Sequence, residues 1–97
     1  MDIRIEDRTD PEIAGQLGER LAAVRKAAGL NQEEAAAQAG LNRTTVSRAE
    51  RGDNPTIHTV IRLLRVYGRL GALDSFIPKV GVSPMELVRR RQEGRGG

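Results

Sequence analysis

Residues 32–51, QEEAAAQAGLNRTTVSRAER, constrain the fold more than any other stretch of this chain. Their pattern fits two short helices packed across one sharp turn. Ala36 stands where the second helix crosses the first closely, so a methyl group fits and a larger side chain would push the two apart. Gly40 supplies the φ > 0 residue that stops the first helix and starts the turn. Val46 points back from the second helix into the shared core. The residues left facing outward there are Asn42, Arg43, Thr44, Ser47 and Arg48, all short or flexible hydrogen-bonding groups.

Further helix signals flank this unit. Asp10-Pro11 reads as a helix start, with Asp at the N-cap and Pro at the first helical position. That helix places Ile13, Leu17, Leu21, Val24 and Ala28 on one face, Gly29 ends it, and Leu30 tucks back into the core. Asn31 caps the next helix, about 32–39, with Glu34 placed as in a capping box. Asn42 caps a third, about 43–51, and Gly52 closes it. After the loop GDNP, Thr56 caps a fourth helix, roughly 57–67, which buries Ile57, Val60, Leu63 or Leu64, and Tyr67 before Gly68 breaks it.

A short fifth helix over 70–77 carries Leu70, Leu73, Phe76 and Ile77. Ser83, Pro84 and Glu86 then stand at N-cap, N1 and N3 of a last helix of about nine residues. Its cationic end, Arg89-Arg90-Arg91, suits a helix C-terminus. The segment 2–8 alternates Ile3 and Ile5 with charges, as a short strand or a disordered arm would. The expected architecture is all-α, five packed helices with a sixth appended. It divides into an arm (1–9), a helical domain (10–77), a helical extension (78–92) and a disordered tail (93–97).

Composition narrows the functional classes. A chain of 97 residues makes one small domain, and its hydrophobic fraction of 38% includes only Tyr67 and Phe76 as aromatics. Such a core is modest, so dimerisation would help. The net charge of +3 is weak evidence for an anionic partner, but of the 16 cations only Lys26 and Lys79 are lysines. Arginine offers a planar donor fork suited to phosphate and guanine. With no cysteine, neither a disulfide nor a thiolate metal site can form, and the single His58 cannot build a metal centre alone. No apolar run approaches the ~20 residues of a membrane span. The start MDIRIEDRTD lacks the apolar stretch of a secretion signal, so a soluble cytoplasmic location is expected.

Two helices joined by Gly also occur as an αα-hairpin of an ordinary bundle. Three features favour a DNA-reading unit instead. Gln32 lies at a helix N-terminus, where its amide and nearby backbone N–H groups can hold a phosphate. The outward face of the third helix lacks the acids that solubilise most surface helices, Glu50 at its far end excepted. Arg25 and Glu50 stand where the ends of the first and third helices meet, so that carboxylate pairs internally. The remaining face suits an element entering the major groove.

The stretch from about Leu17 to Tyr67 resembles the Cro/C1-type (XRE, lambda-repressor-like) helix-turn-helix family. The residues carrying the resemblance are LGERLAAVRKAAGLNQEEAAAQAGLNRTTVSRAERG and NPTIHTVIRLLRVYG. It implies a five-helix DNA-binding domain, usually dimeric, reading operators with two-fold symmetry. Position by position it makes Gln32 a phosphate-binding glutamine, and Arg43, Thr44, Ser47 and Arg48 base-reading residues. It makes Arg25 and Glu50 an interhelical ion pair. Asn42, Thr45 and Arg51 are expected to contact phosphates beside Gln32. Many members carry glutamine where Arg43 stands; Arg prefers guanine where glutamine prefers adenine, so a G·C pair is expected in the half-site. In the family the fifth helix often supplies the dimer contact, here Leu70, Leu73, Phe76 and Ile77, unless those side chains complete the monomer core.

Nothing in the sequence assembles a catalytic constellation or a cofactor site. Thr44, Thr45 and Ser47 have no base beside them, Asp10 and Glu12 are explained by helix starting, and the glycines sit singly at helix ends. An enzyme, a metal, a cofactor and a small-molecule substrate are therefore not expected. The run RRRQEGR is either a solvated helix end or a basic arm on phosphate. The ending SPMELVRRR resembles regulators that accompany HipA-like kinases. This leaves two readings beside the autoregulating repressor: a HipB-like antitoxin that also holds a toxin, and a protein-interaction module that uses the fold without DNA.

Overall fold

The computed structural model describes residues 4–81, which form five α-helices and no strand. They are α1 (Asp10–Ala27), α2 (Gln32–Ala39), α3 (Arg43–Glu50), α4 (Ile57–Val66) and α5 (Ala72–Phe76). A single 3-10 turn, Ile5–Asp7, precedes α1 where a strand or arm was expected, and Ile5 is exposed. The helix expected over 83–91, with Met85, Leu87, Val88 and Arg89 to Arg91, lies outside the described residues, as do Ile3 and the tail 93–97. No helix among the described residues is long and apolar enough to cross a membrane.

Local chemistry explains most of the boundaries. α1 starts one residue earlier than Asp10-Pro11 suggests, because Thr9 is the N-cap and Pro11 falls at the second helical position. The Thr9 hydroxyl accepts from the Glu12 amide while the Glu12 carboxylate accepts from the Thr9 backbone N–H and hydroxyl. Those bonds hold the Glu12 carboxyl below its ordinary range. Asn31 and Glu34 form the same reciprocal box at α2. Thr56 caps α4 through the Thr59 amide. Gly40 ends α2 in the left-handed region, with φ at +68°.

The core is small and centres on α3, which packs against α1, α2 and α4. Val46 and Leu63 are its largest fully enclosed side chains, surrounded by Ala35, Ala36, Ala49 and Tyr67. Alanines at the α2–α3 crossing let the two backbones approach, as expected of Ala36. Burial, with a smaller contribution from the nearby Glu50 carboxylate, pushes the Tyr67 phenol up to about 12.

Two glycines let α1 and the end of α3 approach closely. A Cβ on Gly18 would press on the Glu50 carbonyl and stand 2.8 Å from the Gly52 nitrogen. A Cβ on Gly52 would stand 2.5 Å from the Ala14 carbonyl carbon and oxygen. The C-terminal end of α3 therefore lies directly on the α1 backbone.

Several expected core residues lie elsewhere. Ile57 is 74% exposed, because the buried face of α4 centres on Leu63 and Tyr67 and leaves Ile57 at its margin on the first turn. The inward residue of that first turn is Thr59. Leu63 and Leu64 are both buried, and Ala28 is exposed at the end of α1. Helix α5 is shorter than the expected 70–77, and Leu17 with Phe76 is left half open along an apolar groove of about 290 Å³ between α1, α4 and α5.

Candidate nucleic-acid interface

Helix α3 presents two faces with different duties. Val46 and Ala49 are buried, while Arg43, Thr44 and Arg48 are exposed and Ser47 is half-buried at the edge of the same stripe. The helix contains one carboxylate, Glu50, and it is turned inward. Arg25 Nε donates to Glu50 Oε2 at 2.7 Å and Arg25 Nη2 to Oε1 at 3.1 Å, with side-chain exposures of 10% and 6%. The bidentate bond to Glu50 raises the Arg25 pKa, against the opposing effect of burial. Arg25 Nη1 also donates to the Leu30 carbonyl at 2.8 Å, so one guanidinium ties α1, the loop and α3 together.

Gln32 joins this node. Its Nε2 donates to Glu50 Oε1 at 3.0 Å, so the amide expected on phosphate rests on an internal acceptor. The bond fixes the start of α2 against the end of α3. Helix α2 opens there with its first amides unpaired within the helix. Asn31 accepts from Glu34 and Ala35, which leaves the Gln32 and Glu33 amides at the positive end of the helix dipole. An open polar cleft beside them is lined by Asn31, Gln32, Glu33, Arg25 and Arg43, bringing the α2 N-terminus and the first turn of α3 together.

Asn42 sits at the N-cap of α3 without making a side-chain capping bond. The Thr45 amide that such a bond would use is taken by the Asn42 backbone carbonyl at 3.0 Å, so the exposed side chain stays uncommitted. Thr45 itself is half-buried beside Val46. Arg51, one residue past the helix, donates from Nη1 to Ser47 Oγ at 2.9 Å. Arg62 reaches from α4 to the Gly40 carbonyl in the turn at 3.4 Å.

One residue of this surface was missed by sequence reasoning. Asp53 accepts from Arg48 Nε through Oδ2 at 3.0 Å. Its signal was a carboxylate directly after the glycine that closes α3, in a loop read only as a connector. The four residues proposed for the dimer contact divide: Leu70 and Leu73 are half-buried, whereas Phe76 and Ile77 are 63% and 72% exposed.

Among curated proteins none matches the chain. The SPMELVRRR segment behind the resemblance to HipA-associated regulators lies outside the described residues. The helix-turn-helix domain family, one of the Cro/C1 (XRE) group, matches residues 16–75, from within α1 almost to the end of α5, and the chain belongs to that family.

Proposed function

We propose that this protein is a transcriptional regulator that binds a palindromic double-stranded DNA operator as a homodimer and represses its own gene. The observation that carries this reading is the acid-free stripe of exposed Arg43, Thr44 and Arg48, with Ser47 half-buried at its edge, on a helix whose opposite face is buried. In a major groove, Arg43 and Arg48 supply forks for guanine O6 and N7, while Thr44 and Ser47 supply short donors and acceptors. The Gln32 and Glu33 amides, with the Gln32 side chain, receive one phosphate; Asn42, Thr45 and Arg51 line up for its neighbours. Repression needs no further device, since a body seated on a promoter excludes polymerase.

Selection from a randomised duplex library, followed by single-base variants of the selected site, tests this. A G·C pair is expected opposite Arg43. Arg43→Ala should then lose about tenfold in affinity for that site and lose the preference at that position. Equal binding after the G·C is replaced would remove the Arg43 assignment. Charge reversal at Arg43 and Arg48 that leaves the protein's cellular activity intact would favour an interaction module that does not use DNA.

The dimer reading rests on the apolar groove, whose walls include Leu17, Leu21, Val60, Leu64, Leu73 and Phe76. A single eight-residue reading helix is about 12 Å long and covers three to four base pairs, so a second copy on the next major-groove face is what raises specificity. A second protomer placing Phe76 and Ile77 in that groove would cover both. Phe76→Asp is expected to shift the protein from dimer to monomer in analytical ultracentrifugation with the helical signal unchanged. A dimer that survives this substitution places the contact elsewhere.

A further inference from the structure

Arg48 and Asp53 are held together twice. The α3 helix ends in a paired backbone closure: the Asp53 amide donates to the Arg48 carbonyl at 2.9 Å and the Gly52 amide to the Ala49 carbonyl at 3.0 Å, with Gly52 at φ +73°. The side chains repeat the connection, Arg48 Nε to Asp53 Oδ2 at 3.0 Å. Both side chains are more than half exposed, at 56% and 53%, so the pair adds little to stability. It is also an odd place for a carboxylate, since Asp53 sits beside a surface meant for phosphates and repels them.

The arrangement of donors explains the pairing. A guanidinium has five N–H donors in one plane, and Asp53 engages the one on Nε. That contact favours one orientation of the fork and leaves the two Nη groups for a ligand. Two parallel N–H donors at a fixed orientation match the O6 and N7 acceptors of one guanine edge. A mobile arginine would instead reach any phosphate nearby. Because Gly52 lies on the α1 backbone, the carboxylate is anchored to the body of the domain rather than to a free loop.

We propose that Asp53 is a positioning residue that orients Arg48 for one guanine and discourages it from phosphate, trading general DNA affinity for base discrimination. This rests on the DNA-reading assignment of α3 made above.

The test applies library selection to the full chain, to Arg48→Ala and to Asp53→Ala, with Asp53→Asn as the conservative variant. Affinities for the selected site and for an unrelated duplex are measured alongside. Arg48→Ala should identify the base pair it reads by losing preference there. Asp53→Ala should lose about tenfold in discrimination at that same pair while preferences elsewhere are retained. It should also bind the unrelated duplex severalfold more tightly. Asp53→Asn, which keeps an oxygen acceptor without the charge, should restore part of the discrimination. Circular dichroism should be unchanged, since the backbone closure does not use the Asp53 side chain.

Asp53→Ala that raises affinity for every sequence and leaves the selected motif intact would overturn the proposal, making Asp53 a simple electrostatic brake. So would an Arg48→Ala motif identical to that of the unsubstituted chain. If the unsubstituted chain enriches no sequence at all, the DNA reading falls and the Asp53 role falls with it. An intact motif that Asp53→Ala leaves unchanged removes the Asp53 role alone.

Discussion

Gly52→Ala is expected to destabilise the protein by roughly 2–5 kcal/mol, from two separable sources. The first is backbone conformation: at φ +73° an L side chain costs roughly 1–2 kcal/mol. The second is steric, because the new methyl would stand 2.5 Å from the Ala14 carbonyl and 2.6 Å from the Gly15 nitrogen, which are backbone atoms in mid-helix. Forcing atoms into such a contact costs roughly a further 1–3 kcal/mol. Domains of this size are stable by about 5–10 kcal/mol, so the melting temperature should fall by more than about 10 °C.

Two other glycines isolate the sources. Gly29 has φ +78° and open space around its Cβ position, so Gly29→Ala should show the backbone cost alone. Gly18 lies within α1 on helical backbone, where alanine ordinarily stabilises by roughly 0.5–1 kcal/mol. Against the Glu50 carbonyl and the Gly52 nitrogen, Gly18→Ala should instead destabilise. Thermal denaturation followed by circular dichroism reads all three. A stabilising Gly18→Ala would mean that α1 and the end of α3 are not in backbone contact.

Glu50→Ala should have an effect of similar size for an unrelated reason. It removes the carboxylate that accepts two bonds from Arg25 and one from Gln32, and leaves the Arg25 side chain, only 10% exposed, without its counter-charge. Breaking one side of a buried pair costs about 3–5 kcal/mol, most of it the penalty of the abandoned charge. Removing both charges should cost much less, so Arg25→Met combined with Glu50→Leu is expected to recover most of the loss. The Leu30 carbonyl would still lose its donor. Urea denaturation of the two single variants and the double variant measures the coupling. A loss below about 1 kcal/mol for Glu50→Ala would show the pair behaving as a solvated one.

The parts of the fold legible in the sequence are those decided within a few residues. Asn31 with Glu34, Gly40 before the turn, and Thr56 at α4 each state their role in a window of four. The start of α1 is equally local, but Asp10-Pro11 mimics a cap-and-N1 pair one residue past Thr9. Only Thr9 has a glutamate three positions on, and that spacing selects it. Periodicity showed which residues of α1 and α4 share a face, but not how wide a sector is covered. Leu17 lies on the expected face of α1 yet stays part open because α5 is short, while Ile57, expected in the core, sits at the margin of the α4 face centred on Leu63 and Tyr67. Residues that meet across long separations were harder to see. Gly18 looks like a weak point in a helix until Gly52 is brought against it, and Asp53 looks like loop filler until Arg48 is turned toward it. The outward face of α3 and the Arg25–Glu50 pair were legible from helix spacing, and the family resemblance added the roles expected of them.

The anchoring of α3 bears on how such a protein can change. Val46, Ala49, the inward Glu50 and the Gly52 contact hold the helix entirely from behind. Arg43, Thr44 and Arg48 are exposed, and substitutions at such surface positions ordinarily move stability by less than about 0.5 kcal/mol. If α3 reads DNA as proposed, target choice and foldedness are nearly independent variables on this helix, and a lineage can walk from one target sequence to another by single replacements without crossing an unfolded intermediate.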